Sequence, residues 1–217
     1  MIEVALEASG RPGSVAARRE TRKLNVELGE GAAHASDLLG MLNELVLELD
    51  GTPQDISAVF VGTGPGSFTG LRVAIATAMG IARGTQAQVR SVPSFDALVF
   101  EALEVGEEAY VLLDAYSSEL YLARYRRDAK DVVPLTEPHV IRAAPFDLPS
   151  DARLIADAKS LRATGLEAHE QLVPYRTPSA QSVLELGAYR LEALGAESPE
   201  SIEPLYLRPF AAKKRQR

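Results

Sequence analysis

The run Gly62-Thr-Gly-Pro-Gly-Ser-Phe-Thr-Gly-Leu-Arg72 stands between two apolar segments of different length. Residues 58–61 before it are all apolar, and residues 73–82 after it are nearly so. A short apolar run, a group of glycines and a longer apolar run are together typical of a strand, a tight loop and a buried helix. The sequence therefore predicts a strand-loop-helix unit over residues 58–82.

The loop combines backbone freedom with one rigid position. Its glycines permit a sharp reversal of the chain, and the proline between them fixes one φ angle. A hydroxyl at the end of the loop can cap the helix, and amide groups left free at the helix start would attract an anion. Anion binding is therefore one candidate role. The expected structural loop residues are Gly62, Gly64, Pro65, Gly66, Ser67, Thr69 and Arg72.

Three known loop motifs do not fit this run. A Walker A loop requires Gly-Lys-Ser/Thr, but Leu71 and Arg72 follow the last glycine. A dinucleotide fingerprint opens the first βα unit with a different glycine spacing. A nucleophile elbow would need glycine where Pro65 and Thr69 stand. The loop thus indicates neither a P-loop enzyme nor a serine hydrolase.

The helix after the loop carries a stripe of small residues. Gly70, Ala74, Ala78 and Ala82 recur every four positions, so they share one line along the helix and permit close approach of another helix. An amphipathic helix is also predicted over residues 34–50. The stripe fits either an intramolecular core or a seam for a partner chain, and the pattern alone leaves both open.

Composition excludes several classes of protein. The 217 residues are 46% hydrophobic and include no cysteine and no tryptophan, which excludes a disulfide framework and cysteine-based sites. No apolar run approaches the ~20 residues of a membrane span, and no basic region precedes the first apolar residues. We therefore expect a cytoplasmic protein without membrane contact. The net charge of −7 disfavours binding of nucleic acid by this chain alone.

Residues 64–72 resemble the signature of the TsaB (YeaZ) family, subunits of the bacterial machinery that makes threonylcarbamoyladenosine beside the tRNA anticodon. The resemblance extends to residues 34–39, 92–98 and 204–209 and to the hairpin around Asp114. It implies an α/β, actin-like ATPase (ASKHA, ribonuclease H-like) fold of two lobes, each a mixed sheet flanked by helices. We expect residues 1–103 and 104–217 to form the two lobes, and the late helix at 180–194 could pack back on the first.

The resemblance also implies a function. It predicts a non-catalytic subunit that binds and activates TsaD for threonylcarbamoyl transfer to tRNA, with TsaE joining the assembly. The same helices would form a homodimer when TsaD is absent, and tRNA would be contacted only through the complex. On this interpretation the small-residue stripe is the seam for TsaD. The expected partner-binding residues are Leu38, Leu42, Leu45, Gly70, Leu71, Ala74, Ile75, Ala78 and Ala82.

Departures from the family pattern bear on nucleotide binding. Family members often have Asp-Thr-Ser in the first hairpin, where this chain has Glu7-Ala8-Ser9, and two basic residues are missing after Asp114. Glu7, Ser9 and Asp114 remain weak candidates for nucleotide binding, although Asp114 also suits a structural turn. We expect no catalytic residue, no metal site and no cofactor bound by this chain alone, with ATP or ADP at the TsaD interface left open. The alternative function is an actin-like ATPase or kinase, or a glycoprotease-like peptidase.

Two further features carry weaker predictions. His34 stands alone, because Leu38 occupies the position where an H-x-x-x-H pair would need a second imidazole. It is expected to be a capping or packing residue. The basic run at 213–217 is expected to be a solvated tail, with RNA contact as the alternative.

Overall fold

A computed structural model describes residues 1–29, 35–115 and 117–207 of the chain. Within these ranges the chain forms two five-stranded sheets, each with helices against it. The predictions for His34 and for the basic run at 213–217 lie outside the described residues. The mixed α/β fold with two mixed sheets is the one that the sequence predicts.

The first sheet has the order β3-β2-β1-β4-β5. An antiparallel meander of three strands is followed by two strands parallel to the first. Strand β4 is apolar and almost wholly buried, as expected for a strand covered on both faces. The bounds are Ile2–Glu7 for β1, Ser14–Arg19 for β2, Arg22–Glu27 for β3, Ile56–Gly62 for β4 and Gln88–Val92 for β5.

Two helices cover one face of this sheet. Helix α1 spans Ala35–Glu48 and helix α2 spans Phe68–Thr85. Their apolar faces form one core with the sheet. We call the first sheet with α1 and α2 the first lobe.

The prediction that the small-residue stripe and its neighbours are exposed for a partner is wrong. Eight of the nine expected partner-binding residues are at most 5% exposed. They are buried inside the first lobe. The ninth, Gly70, is half-buried, and a Cβ atom there would lie 2.1 Å from the carbonyl oxygen of Ala8. The backbone that approaches closely therefore belongs to the turn after β1. The eight buried residues are Leu38, Leu42, Leu45, Leu71, Ala74, Ile75, Ala78 and Ala82.

Two further helices form a layer between the sheets. Helix α3 spans Ser94–Ala102, and α5 spans Ala180–Leu194. Ala97 of α3 and Leu184 of α5 pack with the inner face of the first sheet, whereas Phe95 of α3 packs with the second sheet. The late helix, predicted with these bounds, thus packs back on the first sheet.

The second sheet has the order β10-β9-β6-β7-β8. A three-stranded antiparallel meander is extended by two short strands parallel to β6. Helix α4, Ala158–Thr164, lies on the face away from α3. The bounds are Glu108–Asp114 for β6, Glu119–Arg127 for β7, Val132–Arg142 for β8, Leu154–Ala156 for β9 and Leu172–Val173 for β10.

Two short 3-10 helices complete the described structure, at Pro53–Asp55 and Pro199–Ser201. No helix within the described ranges combines the length and the apolar composition needed to cross a bilayer.

Candidate functional site

Glu7 is a fully buried carboxylate at the end of β1. Its Oε1 accepts the backbone N–H of Ser9 at 2.6 Å, and its Oε2 accepts the hydroxyl of Ser94 at 2.8 Å. Burial raises the pKa of Glu7, and the hydrogen bonds from Ser9 and Ser94 only partly oppose this effect. Glu7 therefore acts as an acceptor that joins neighbouring segments of the chain.

Ser94 connects this carboxylate to the glycine loop. Its hydroxyl accepts the N–H of Gly64 at 2.9 Å, and its own N–H donates to the carbonyl of Gly64 at 2.7 Å. Helix α3 begins at Ser94, with Pro93 at the N-cap position and no side-chain cap. A serine at the start of a helix commonly caps it, but the hydroxyl of Ser94 instead bonds Glu7 and Gly64.

The loop requires glycine where Glu7 and Ser9 approach it. A Cβ atom on Gly62 would lie 1.9 Å from Oε2 of Glu7, and one on Gly66 would lie 2.3 Å from the carbonyl oxygen of Ser9. These distances are far below a van der Waals contact. The loop therefore packs directly on the carboxylate of Glu7 at Gly62 and on the backbone of Ser9 at Gly66.

Three amide groups of the loop and the start of α2, those of Gly64, Ser67 and Gly70, are hydrogen-bonded within the chain. The N–H of Ser67 donates to the carbonyl of Ser9 at 2.7 Å, and the side chain of Ser67 caps the helix by accepting the N–H of Gly70. The N–H of Gly64 is bonded to Ser94. These contacts give the loop a structural role. Each of these amides already has an acceptor within the chain, so none of them needs an external anion.

Asp114 lies at the end of β6 in a cluster of its own. Its Oδ2 pairs with Nζ of Lys159 at 2.7 Å, and its N–H donates to Oδ2 of Asp157, also at 2.7 Å. Asp157 in turn caps helix α4. These contacts favour the structural interpretation of Asp114. Neither Asp157 nor Lys159 lies in a recognisable motif, so the sequence alone gives no signal for them.

The segment between β10 and α5 lies between the two groups of candidates. A Cβ atom on Gly10 would lie 3.2 Å from Cγ2 of Thr177, so this segment packs on the turn after β1. Burial and the negative charges of Asp157 and Glu7 raise the pKa of Tyr175 to about 12.

Of the predicted nucleotide-binding candidates, Glu7 and Ser9 are brought together in the first lobe, whereas Asp114 is held in a separate cluster. Within the described ranges no three acidic or histidine side chains gather as a metal site.

The outer faces of α1 and α2 carry the other notable feature of the first lobe. A Cβ atom added to Gly40 of α1 or to Gly80 of α2 would meet nothing within 4 Å. Leu39 and Leu47 of α1 are 50% and 58% exposed. A cavity of about 190 Å³ opens beside Leu39, and Ile81 of α2 also lines it. We call this surface the α1–α2 outer face.

Comparisons with known proteins identify the family. Residues 30–211 match the family model described as "TsaD: tRNA N6-adenosine threonylcarbamoyltransferase". The tRNA threonylcarbamoyladenosine biosynthesis protein TsaB of Haemophilus influenzae is 27% identical over 218 residues, covering 94% of this chain and 92% of the relative. The protein of the same name from Escherichia coli is 25% identical over 195 residues, covering 84% of each chain.

A solved structure agrees with these relatives. The structure of YeaZ from Pseudomonas aeruginosa superposes with a TM-score of 0.81 at 25% identity, covering 95% of this chain and 99% of that one. The similarity therefore extends over nearly the whole length of both proteins. The chain belongs to the TsaB (YeaZ) family, within the wider family that the TsaD model describes.

Proposed function

We propose that this chain is a non-catalytic subunit that binds TsaD through the α1–α2 outer face and activates it for threonylcarbamoyl transfer to the adenosine beside the tRNA anticodon. The curated relatives are named for threonylcarbamoyladenosine biosynthesis, which supports this pathway. The observation that carries the partner role is the exposure of helical glycines on this face, Gly40 on α1 with Gly80 and Gly84 on α2.

A glycine inside a helix costs about 0.5–1 kcal/mol relative to alanine. A buried helical glycine repays this cost through packing, as Gly187 does where α5 crosses Phe60. Among the residues that the structure describes, nothing packs against Gly40 or Gly80, so the described fold does not explain them. A partner helix lying close to both would.

The exposed leucines on α1 support the same surface. Leu39 and Leu47 leave apolar area in water, and covering such area contributes about 25 cal/mol per Å². Without TsaD, a second copy of this chain would cover the same face, which gives the expected homodimer. TsaE and tRNA would join through the TsaD complex, and ATP or ADP, if it is shared, would lie at the TsaD interface.

The alternative of an actin-like ATPase or kinase is disfavoured by the candidate residues themselves. Both oxygens of Glu7 already accept hydrogen bonds, and Asp114 is paired with Lys159. A Mg²⁺-nucleotide would have to break these contacts. Nothing in the geometry of the site favours peptidase chemistry, because no serine hydroxyl described above has a histidine partner.

Purified proteins test the proposal directly. We expect Ala76→Leu and Gly80→Leu on the exposed side of α2 to weaken TsaD binding and to lower threonylcarbamoyladenosine formation in a reaction with TsaD, TsaE, threonylcarbamoyl-AMP and tRNA. Ala193→Leu, at an exposed alanine of α5, is the matched control. Wild-type affinity for TsaD in both α2 variants would contradict the proposed face, and Mg²⁺-dependent ATP turnover by the isolated chain would contradict the non-catalytic role.

A further inference from the structure

Three exposed side chains form a compact cluster where α2 begins. The guanidinium carbon of Arg72 lies 4.1 Å from the centroid of the Phe68 ring, and Nε of Arg72 donates to the hydroxyl of Tyr206 at 2.9 Å. The two ring centroids are 5.6 Å apart. Phe68 is 40% exposed and Tyr206 is 47% exposed, so both aromatic side chains remain open to solvent.

The cluster is held on fixed parts of the fold. Tyr206 follows Leu205, whose N–H donates to the carbonyl of Thr63 at 2.8 Å. Ile202 before it is buried in the core of the first lobe, and Leu207 after it packs against the core of the second sheet. The segment that carries Tyr206 is therefore anchored on both sides, and little conformational freedom remains to be lost on binding.

The charge of Arg72 is not neutralised within the described ranges. Arg83 lies about three turns further along α2. It pairs with Glu200 at 2.9 Å. Arg72 has no carboxylate within 4 Å among the residues that the structure describes, and its only hydrogen bond there uses Nε. The Nη groups of this guanidinium can still take a carboxylate, a geometry in which arginine forms two parallel hydrogen bonds.

We propose that Arg72, Phe68 and Tyr206 form an anchor for an aspartate or glutamate side chain of TsaD, at the start of the α1–α2 outer face. This inference rests on the proposed function. Ala76 lies one turn after Arg72 on the exposed side of the same helix, so the anchor continues that face. Arginine and aromatic side chains are the residue types that contribute most to protein interfaces.

A protein carboxylate fits this site better than RNA does. The chain carries a net charge of −7, which disfavours the binding of a polyanion. One carboxylate bound by one guanidinium against two aromatic rings needs no wider basic surface. The structure therefore favours an acidic side chain of a protein partner as the occupant.

The test compares Arg72 with an arginine away from the proposed face. We expect Arg72→Ala to weaken TsaD binding by about tenfold or more, as for a central interface residue, and Arg72→Lys to recover only part of it. Arg153→Ala, which removes an exposed arginine that pairs with Glu107 at the second sheet, should bind TsaD within about threefold of wild type. The melting temperatures of all three variants should stay close to that of wild type, because these side chains are exposed.

Salt dependence gives a second measurement. The wild-type affinity for TsaD should fall as NaCl rises from about 0.1 to 0.5 M, and Arg72→Ala should show a weaker dependence, because salt screens the charge that the variant lacks. Wild-type affinity in Arg72→Ala would overturn the inference. Loss of tRNA binding to the complex with unchanged TsaD affinity would also overturn it and assign the cluster to RNA.

The outcomes separate this inference from the proposed function. If Gly80→Leu abolishes TsaD binding and Arg72→Ala does not change it, the proposed face stands and the carboxylate anchor fails. If the wild-type chain does not bind TsaD at all, both fail.

Discussion

The hydroxyl of Ser94 donates a hydrogen bond to Oε2 of Glu7 at 2.8 Å, across 87 positions of the chain. The same hydroxyl accepts the N–H of Gly64. One oxygen atom therefore joins the end of β1, the glycine loop and the start of α3. This arrangement gives a fully buried acidic residue a structural role in the fold.

Removal of the Ser94 hydroxyl should be costly for its size. Ser94→Ala leaves Oε2 of Glu7 and the N–H of Gly64 without their partner, and an unpaired buried polar group costs about 1–3 kcal/mol. We expect a loss of this size in the free energy of unfolding, measured by urea denaturation. Ser57→Ala, which removes a half-buried hydroxyl bonded to one carbonyl, is the control and should lose less. Equal losses in the two variants would contradict this role of Ser94.

The pKa of Glu7 predicts a pH dependence with a definite sign. Burial raises this pKa above its ordinary value of 4.5, so the folded state holds the proton more tightly than the unfolded state does. The stability contributed by protonated Glu7 is complete below pH 4.5 and is lost as the pH rises through the folded-state pKa. The stability of Glu7→Gln relative to wild type should therefore improve from pH 4.5 to pH 8 in denaturant titrations.

The control for this experiment is Glu167→Gln, which removes an exposed carboxylate. Its stability relative to wild type should change little over the same pH range. A Glu7→Gln variant whose relative stability falls as the pH rises would show that the pKa of Glu7 is lowered in the folded state.

The glycine loop offers a direct test of close packing. Gly62→Ala places a methyl group 1.9 Å from Oε2 of Glu7, so either the carboxylate or the loop must move. Overpacking of this kind costs about 1–3 kcal/mol or more, and we expect a clear fall in melting temperature. Gly29→Ala, where a Cβ atom would meet nothing within 4 Å, should melt close to wild type. Similar melting of both variants would mean that the loop yields easily.

The two sides of α2 should respond differently to the same substitution. Ala78 is 0% exposed, and leucine there should lower the melting temperature by overpacking the core of the first lobe. Ala76 is exposed, so leucine there should leave the melting temperature nearly unchanged and weaken TsaD binding. Melting curves and TsaD titrations on both variants check this. If Ala78→Leu kept its stability and lost TsaD binding, the buried stripe would be the interface after all.

Local patterns predicted most of the elements that have their own periodicity and caps. Helix α1, the unit of β4, loop and α2, and the late helix all lie where the sequence places them. The strands β9 and β10 were missed because segments of 3 and 2 residues carry no usable period. The assignment of Ala74 and Ala78 to a partner seam was wrong because small residues at every fourth position look the same whether they pack in the chain's own core or against a partner helix.

The site was harder to predict than the fold, because its contacts join distant parts of the chain. Glu7 was identified from a resemblance, but its partner Ser94 is 87 positions away and nothing in the local sequence marks it as that partner. The exposure of Gly40 and Gly80 likewise depends on the tertiary structure. A single sequence indicates that a helix is rich in small residues but not which of them remain uncovered.

The contact between α5 and the second sheet includes a buried charge cluster. Nη2 of Arg190 lies 2.7 Å from Oδ2 of Asp96 and 2.6 Å from Oδ1 of Asp131, and the Arg190 and Asp96 side chains are 11% and 9% exposed. Arg190→Met leaves both carboxylates without their cation, and the loss of one member of a buried pair costs about 3–5 kcal/mol. We expect a destabilisation of this size in urea denaturation. Arg126→Met, at an exposed pair with Asp128, should change stability by less than about 1 kcal/mol.

The pH dependence of Arg190→Met separates lost charge from lost packing. Burial raises the pKa of Asp96, whereas Arg190 lowers it, so removal of the arginine should raise this pKa further. An acid with a raised pKa stabilises the fold when protonated and loses that contribution as the pH rises. The deficit of Arg190→Met should therefore be smaller at pH 5 than at pH 8, and adding Asp96→Asn and Asp131→Asn should remove the difference. A deficit that is equal at both pH values would show that the arginine acts through packing rather than through charge.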